Sequence, residues 1–193
     1  MQKLNLYNSC VSNILLPTGD DNIPLLTLDI RNSQIQSLDL QEQNLLSTLD
    51  LTGCAKLSKL NISNCSLLTE LTLGTSQKSL KTIKISSDTF KKFTCESNDS
   101  VTSITINSSA LKTITITDCK NLTSLSISGD ALETLNLEGC SKLTELNISN
   151  PGTSIGTLNL KETALTYIKY NEEATDTNLL NLSYFKFIDS FNI

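Results

Sequence analysis

Apolar and polar residues follow one another along this chain in a unit written L-x-x-L-x-L, with Ile, Val or Phe also admitted at the apolar places. The unit starts at Leu25, Ile35, Leu46, Leu57, Leu68, Leu80, Phe90, Val101, Leu111, Leu122, Leu132, Leu143, Ile155 and Leu165, with 10, 11 or 12 residues between starts. Its fourth and sixth residues are apolar while the third and fifth are almost always polar, as in Leu49-Asp50-Leu51, Ile114-Thr115-Ile116 and Leu146-Asn147-Ile148. Alternation with period two sends successive side chains to opposite faces, so each unit predicts a short strand with one buried face. The residues between are rich in Ser, Asn, Asp and Gly, which is turn composition. Such a unit holds one strand and one corner and is too short for a strand plus a full helix.

A unit of this size cannot bury its apolar edge alone, so the units must stack. Alternate units differ at their ninth residue. One series carries Ser33, Cys54, Ser76, Asn98, Cys119, Cys140 and Thr163, mostly small residues able to point inward from a corner and bond to backbone. The other carries Gln43, Cys65, Asp88, Ser109, Asp130, Pro151 and Glu173, mostly polar or turn-forming. The asymmetry implies two units per coil. The predicted fold is an all-β-rich solenoid, a rod of about seven coils of 21–23 residues with two opposed parallel β-sheets and little helix, roughly 34 Å long at a strand spacing of about 4.8 Å.

The runs Leu46-Ser47-Thr48-Leu49-Asp50-Leu51-Thr52-Gly53-Cys54, Leu111 to Cys119 and Leu132 to Cys140 read L-x-x-L-x-L-x-x-C. They resemble the core of the leucine-rich repeat family, in particular its short bacterial variant of about 21 residues with strand-like units on both sides of the coil. The resemblance covers Leu25 to about Tyr170 and departs most at Phe90-Lys91-Lys92-Phe93-Thr94-Cys95, where aromatics and a cysteine fill core positions. Strands on both sides have matched spacings, so the rod is expected to be straighter than a helix-backed horseshoe. The resemblance implies a secreted or cell-surface bacterial protein that binds proteins or glycans, with a cytoplasmic placement left open by cysteines that read as reduced.

Three regions follow. Residues 1–24 read as a degenerate N-terminal coil, with a strand around Leu4-Asn5-Leu6 and a corner at Asp20-Asp21-Asn22. Residues 25–170 are the leucine-rich repeat solenoid. Residues 171–193, ending in Tyr184, Phe185, Phe187, Ile188, Phe191 and Ile193, read as a C-terminal cap over the exposed end of the stack, with a partner-binding patch as the second reading.

Composition narrows the chemistry. The 193 residues contain no His and no Trp, 18% charged residues, a formal net charge of −5 and one arginine, Arg31. Triads and metal sites that depend on histidine are excluded, and an acidic chain with one guanidinium is a poor nucleic-acid binder. No run of apolar residues is long enough for a transmembrane helix, and Met1 to Leu6 has no signal-peptide core. The six cysteines form no C-x-x-C pair, and most read as buried structural thiols. Cys119 and Cys140, one coil apart in one column, read as a possible but disfavoured disulfide. No cofactor and no metal are expected.

The exposed strand positions are where a repeat protein presents a surface, and the candidate binding residues are Thr48, Asp50, Glu70, Thr113, Thr115, Thr134 and Asn136. The leading expectation is a non-catalytic module, monomeric, recognising a protein or glycan or serving as a scaffold. Two alternatives are weaker. The Thr113 and Thr115 columns resemble an ice-binding surface but are broken by Asn136, Asn159, Glu70 and Lys92. A carboxylate-based hydrolase built on Asp29, Asp39 and Asp50 is the other, but Asp39 falls in the opposite strand series and the sequence shows no third partner.

Overall fold

The computed structural model of the chain describes residues 2–19, 24–75, 77–149, 155–165, 168–170 and 190–192. Its strands are β1 (Lys3–Asn5), β2 (Thr27–Asp29), β3 (Ser37–Asp39), β4 (Lys59–Ser63), β5 (Glu70–Leu73), β6 (Thr82–Ser86), β7 (Lys92–Glu96), β8 (Ser103–Asn107), β9 (Thr113–Thr117), β10 (Ser124–Ser128), β11 (Thr134–Asn136), β12 (Glu145–Ser149), β13 (Thr157–Asn159), β14 (Lys169–Tyr170) and β15 (Ser190–Asn192). No α-helix occurs among the described residues.

From β4 on, successive strands alternate between two opposed parallel sheets, ordered β14-β12-β10-β8-β6-β4-β3 and β15-β13-β11-β9-β7-β5, with β1 and β2 as a separate parallel pair. Register advances by one coil per repeat: Thr113 lies between Lys92 and Thr134, and Thr82 between Lys59 and Ser103. The chain is therefore an all-β solenoid of about seven turns, with two units per coil. The core lies between the sheets. Every unit start from Leu25 to Ile155 is buried, as are the fourth and sixth residues of nearly every unit.

Strand length follows from the fifth residue of the unit. Where it is Asp or Asn, its side-chain oxygen usually accepts the N–H two residues on: Asn5 from Tyr7 (2.9 Å), Asp29 from Arg31 (3.3 Å), Asp39 from Gln41 (3.1 Å), Asn136 from Glu138 (3.1 Å) and Asn159 from Lys161 (3.1 Å). This local bond competes with the ladder, and all five strands stop after 3 residues. Where the fifth residue is Lys84, Thr94, Thr105, Thr115 or Ser126, strands β6 to β10 run to 5 residues. Asn61 and Asn147 are exceptions inside 5-residue strands; Asn61 spends its amide on Asp39 (2.9 Å) and its oxygen on the Ser63 hydroxyl (2.9 Å).

The corners use two devices. The eighth residue turns left-handed at Asn32, Gly53, Ser97, Asp118, Gly139 and Glu162, with φ of 50–75°. The ninth points inward and donates to a carbonyl of the previous coil: Cys54 to Ile30 (3.1 Å), Asn98 to Gly74 (2.8 Å), Cys119 to Cys95 (3.5 Å) and Cys140 to Ile116 (3.4 Å). A buried carbonyl needs a donor, and a thiol supplies a weak one on an otherwise apolar side chain.

The opposite corner corrects the expectation of merely polar, turn-forming residues. Gln43 and Cys65 are buried there too, and Cys65 donates to Leu40 (2.9 Å). In the units starting at Leu80 and Val101 the inward donor moves to the eighth residue: Ser87 bonds the Cys65 carbonyl (3.4 Å) and Ser108 the Phe90 carbonyl (2.7 Å). Ser76, Pro151, Tyr167 and Glu173 lie outside the described residues, as does the Asp20 to Asn22 corner. So does the expected cap apart from the β15 backbone, which extends the sheet parallel to β13 with Phe191 in register with Leu158.

Gly53 tests the left-handed column. Its φ is +73°, and a Cβ there would fall on the Asn32 side chain of the preceding coil, whereas a Cβ on Gly74 meets nothing within 4 Å. Gly53→Ala is expected to lose about 1–2 kcal/mol from the backbone conformation alone, and Gly74→Ala is expected to lose nothing. Urea melts of the two variants make the comparison, and equal midpoints would refute the assignment.

Candidate functional site

One unit departs from the pattern. The alternation Leu49-Asp50-Leu51 predicts a strand, yet residues 47–51 form none, and β2 and β5 on either side pair only with β1 and β7. Asp50 accepts the Thr52 N–H (2.9 Å), closing the same side-chain turn that shortens other strands. The next unit of the same series, starting at Leu68, is 12 residues long, and its extra length brings in buried Gln77. The Gln77 amide donates to the Leu51 carbonyl (2.9 Å) and its oxygen accepts the Gly74 N–H (3.2 Å). Both devices take backbone groups at the edges of this unit into side-chain bonds, and Leu49 is only half-buried.

A cleft of about 560 Å³ opens along this break. Ser47 to Thr52 form one wall; Thr69, Glu70, Thr72, Gly74 and Gln77 form the other. Thr48, Asp50, Glu70 and Thr72 are exposed within it. The hydrogen bonds from Thr52, side chain and backbone, hold the Asp50 carboxyl below its usual range, so it is anionic at neutral pH. Next to it the Arg31 guanidinium grips Asp29 through two bonds of 2.9 and 2.7 Å and lies 5.2 Å from the centre of the Tyr7 ring. Asp29 is thereby neutralised, leaving Asp50 and Glu70 as the acidic groups of the cleft.

The structure thus brings together Thr48, Asp50 and Glu70 of the sequence-predicted residues. Thr113, Thr115, Thr134 and Asn136 stand apart on the regular ladder of β9 and β11, half-buried between neighbouring strands. Asn136 also holds the Glu138 N–H. Sequence reasoning missed Gln77 and Thr52; the 12-residue spacing after Leu68 was the available signal. The opposite sheet has a second concavity of about 510 Å³ lined by Asp39, Lys59, Asn61, Thr82, Lys84 and Thr105 among others, with mixed charge.

Five of the six cysteines are buried and Cys10 is exposed. Burial pushes the Cys65 thiol up to about 11 and that of Cys140 up to about 12. Two of the buried thiols meet, with the Cys95 and Cys119 sulfurs 3.4 Å apart. The hydrogen bond between the two sulfurs lowers the Cys119 thiol and raises that of Cys95. Among the described residues no three Cys, Asp or Glu side chains converge as metal ligands would, and no helix is long and apolar enough to cross a membrane.

Fold and cleft together define a parallel β-solenoid repeat protein whose Cys-bearing sheet is interrupted at one coil. No protein-family model, curated protein or solved structure matches this chain.

Proposed function

We propose that the chain is a non-catalytic recognition module of leucine-rich repeat type that binds a protein or glycan ligand at the cleft between residues 47–52 and 69–77, outside the cell or on its surface. The observation that carries this reading is the break itself. Elsewhere on this sheet the strand-facing residues sit in a closed ladder, whereas here exposed hydroxyls and two carboxylates surround a concave space of about 560 Å³. Concave sites with a few convergent polar groups are the usual places for ligands. The two carboxylates favour a partner carrying ammonium or guanidinium groups, or one rich in hydroxyls. Asp29, Asp39 and Asp50 each accept an N–H of their own chain, a structural use that supports the non-catalytic reading.

The test is binding of the folded chain to immobilised libraries of basic peptides and of neutral and amino-sugar glycans. A ligand found there is expected to lose at least tenfold affinity when Thr48→Lys and Glu70→Lys are combined, by electrostatic mismatch in the cleft. Thr113→Lys with Thr134→Lys should leave binding unchanged. The opposite ranking, or no binding in either library, would overturn the proposal.

A further inference from the structure

The departure at Phe90 to Cys95 has a physical consequence of its own. In the other described units of this series the sixth residue is Ile30, Leu51, Leu73, Ile116, Leu137 or Leu160, and a ninth-position thiol of the next coil meets an aliphatic residue: Cys54 reaches Ile30 and Cys140 reaches Ile116. The Phe90 unit alone places a thiol at the sixth position. Cys95 sits in β7 in register with Ile116 of β9, and the corner after β9 returns Cys119 inward against it. The two sulfurs are 3.4 Å apart, both residues are fully buried, and the Cys119 bond to the Cys95 carbonyl is the longest in the thiol column at 3.5 Å.

We propose that Cys95 and Cys119 form a disulfide that ties two consecutive coils of the solenoid. The coils are one strand spacing apart, about 4.8 Å, and side-chain rotation must bring the sulfurs from 3.4 Å to the bonding distance of about 2.05 Å. Because neither sulfur is exposed in the folded chain, the bond forms as the coils close. A low-molecular-weight disulfide such as oxidised glutathione is the oxidant. The Cys119 thiolate attacks one of its sulfurs and expels a glutathione thiolate; the Cys95 thiolate then attacks the mixed disulfide at Cys119 and expels the second. The two protein thiols lose their protons to solvent and two electrons pass to glutathione, which leaves as two reduced molecules.

The pair accounts for one exception to the reading of these cysteines as inert thiols. Cys54, Cys65 and Cys140 each donate to a backbone carbonyl, at 3.1, 2.9 and 3.4 Å. Cys140, the partner that the sequence offers but disfavours, therefore keeps a role of its own.

The experiment refolds the reduced full-length chain in a glutathione redox buffer and, separately, in excess phosphine reductant, then blocks thiols with N-ethylmaleimide under denaturing conditions. In the redox buffer two of the six cysteines are expected to escape blocking, with a linked peptide pair containing Cys95 and Cys119. The oxidised protein is expected to melt about 5–10 °C above the reduced one, through loop closure in the unfolded state. That difference should vanish in the Cys95→Ser, Cys119→Ser double variant and persist in Cys140→Ser. Blocking of all six cysteines after oxidative refolding, or a link through Cys140, would overturn the proposal. Peptide mapping of the unmodified sequence keeps the test decisive even where a serine variant folds poorly.

Discussion

Under reducing conditions the folded protein is expected to lose stability steeply above about pH 9. In the unfolded chain a cysteine ionises near its ordinary value of about 8.5. In the folded chain burial holds Cys65 protonated up to about 11 and Cys140 up to about 12, and raises Cys54 as well. A folded value raised above the unfolded one gives a contribution fully present below pH 8.5–9 and lost as pH climbs toward the folded value, because the unfolded state then binds fewer protons. Each such thiol tilts the balance by at most about 1.4 kcal/mol per pH unit across that window. Urea midpoints at pH 8, 9.5 and 11 measure the slope. Cys65→Ser with Cys140→Ser should flatten it while keeping a donor for the Leu40 and Ile116 carbonyls. A slope that is the same in both proteins would assign the loss to other groups.

The second large effect is expected at Phe93. Its ring is fully buried in β7, in register with Leu71 of β5 on one side and Ile114 of β9 on the other. Phe93→Ala removes a large buried side chain from a site framed by two paired strands that cannot readily collapse, and is expected to lose about 3–5 kcal/mol. Thr94→Ala, one residue on and facing outward, should stay within about ±0.5 kcal/mol. Denaturant melts of the two variants decide the point; comparable losses would mean that inside and outside are reversed in β7.

These two expectations mark what the sequence makes legible and what it hides. Period-two alternation is a strong signal because it repeats in every unit, so the core residues, from Leu25 through Ile114 to Ile155, and the pairing of alternate units are readable without coordinates. The failure of residues 47–51 to form a strand is not readable in that way. Leu49, Asp50 and Leu51 satisfy the pattern, and the outcome depends on a competition between ladder bonds and side-chain bonds from Asp50 and Gln77. The same competition shortens β2, β3 and β11 and gives Asp29, Asp39 and Asn136 structural work that their outward-facing positions conceal. Three of the seven candidate residues meet in the cleft because the break happens to fall beside them. The contact between Cys95 and Cys119 was hidden for a geometric reason: a column of ninth residues suggests partners within the column, whereas the inward corner residue reaches across to the sixth residue of the previous coil.

The rule that ties strand length to the fifth residue has a consequence for how the molecule comes apart. Five-residue strands run unbroken from β6 to β10, while the three-residue strands β1, β2 and β3 lie at one end and β11 and β13 toward the other. Each coil of a solenoid is held by its two neighbours and by nothing further away. A chain of nearest-neighbour couplings that reach five residues in both sheets only between residues 82 and 128 frays from both ends toward its middle. The same inequality lets the closing of coils begin at the centre, where Phe90 and Phe93 add their bulk, and zip outward in both directions.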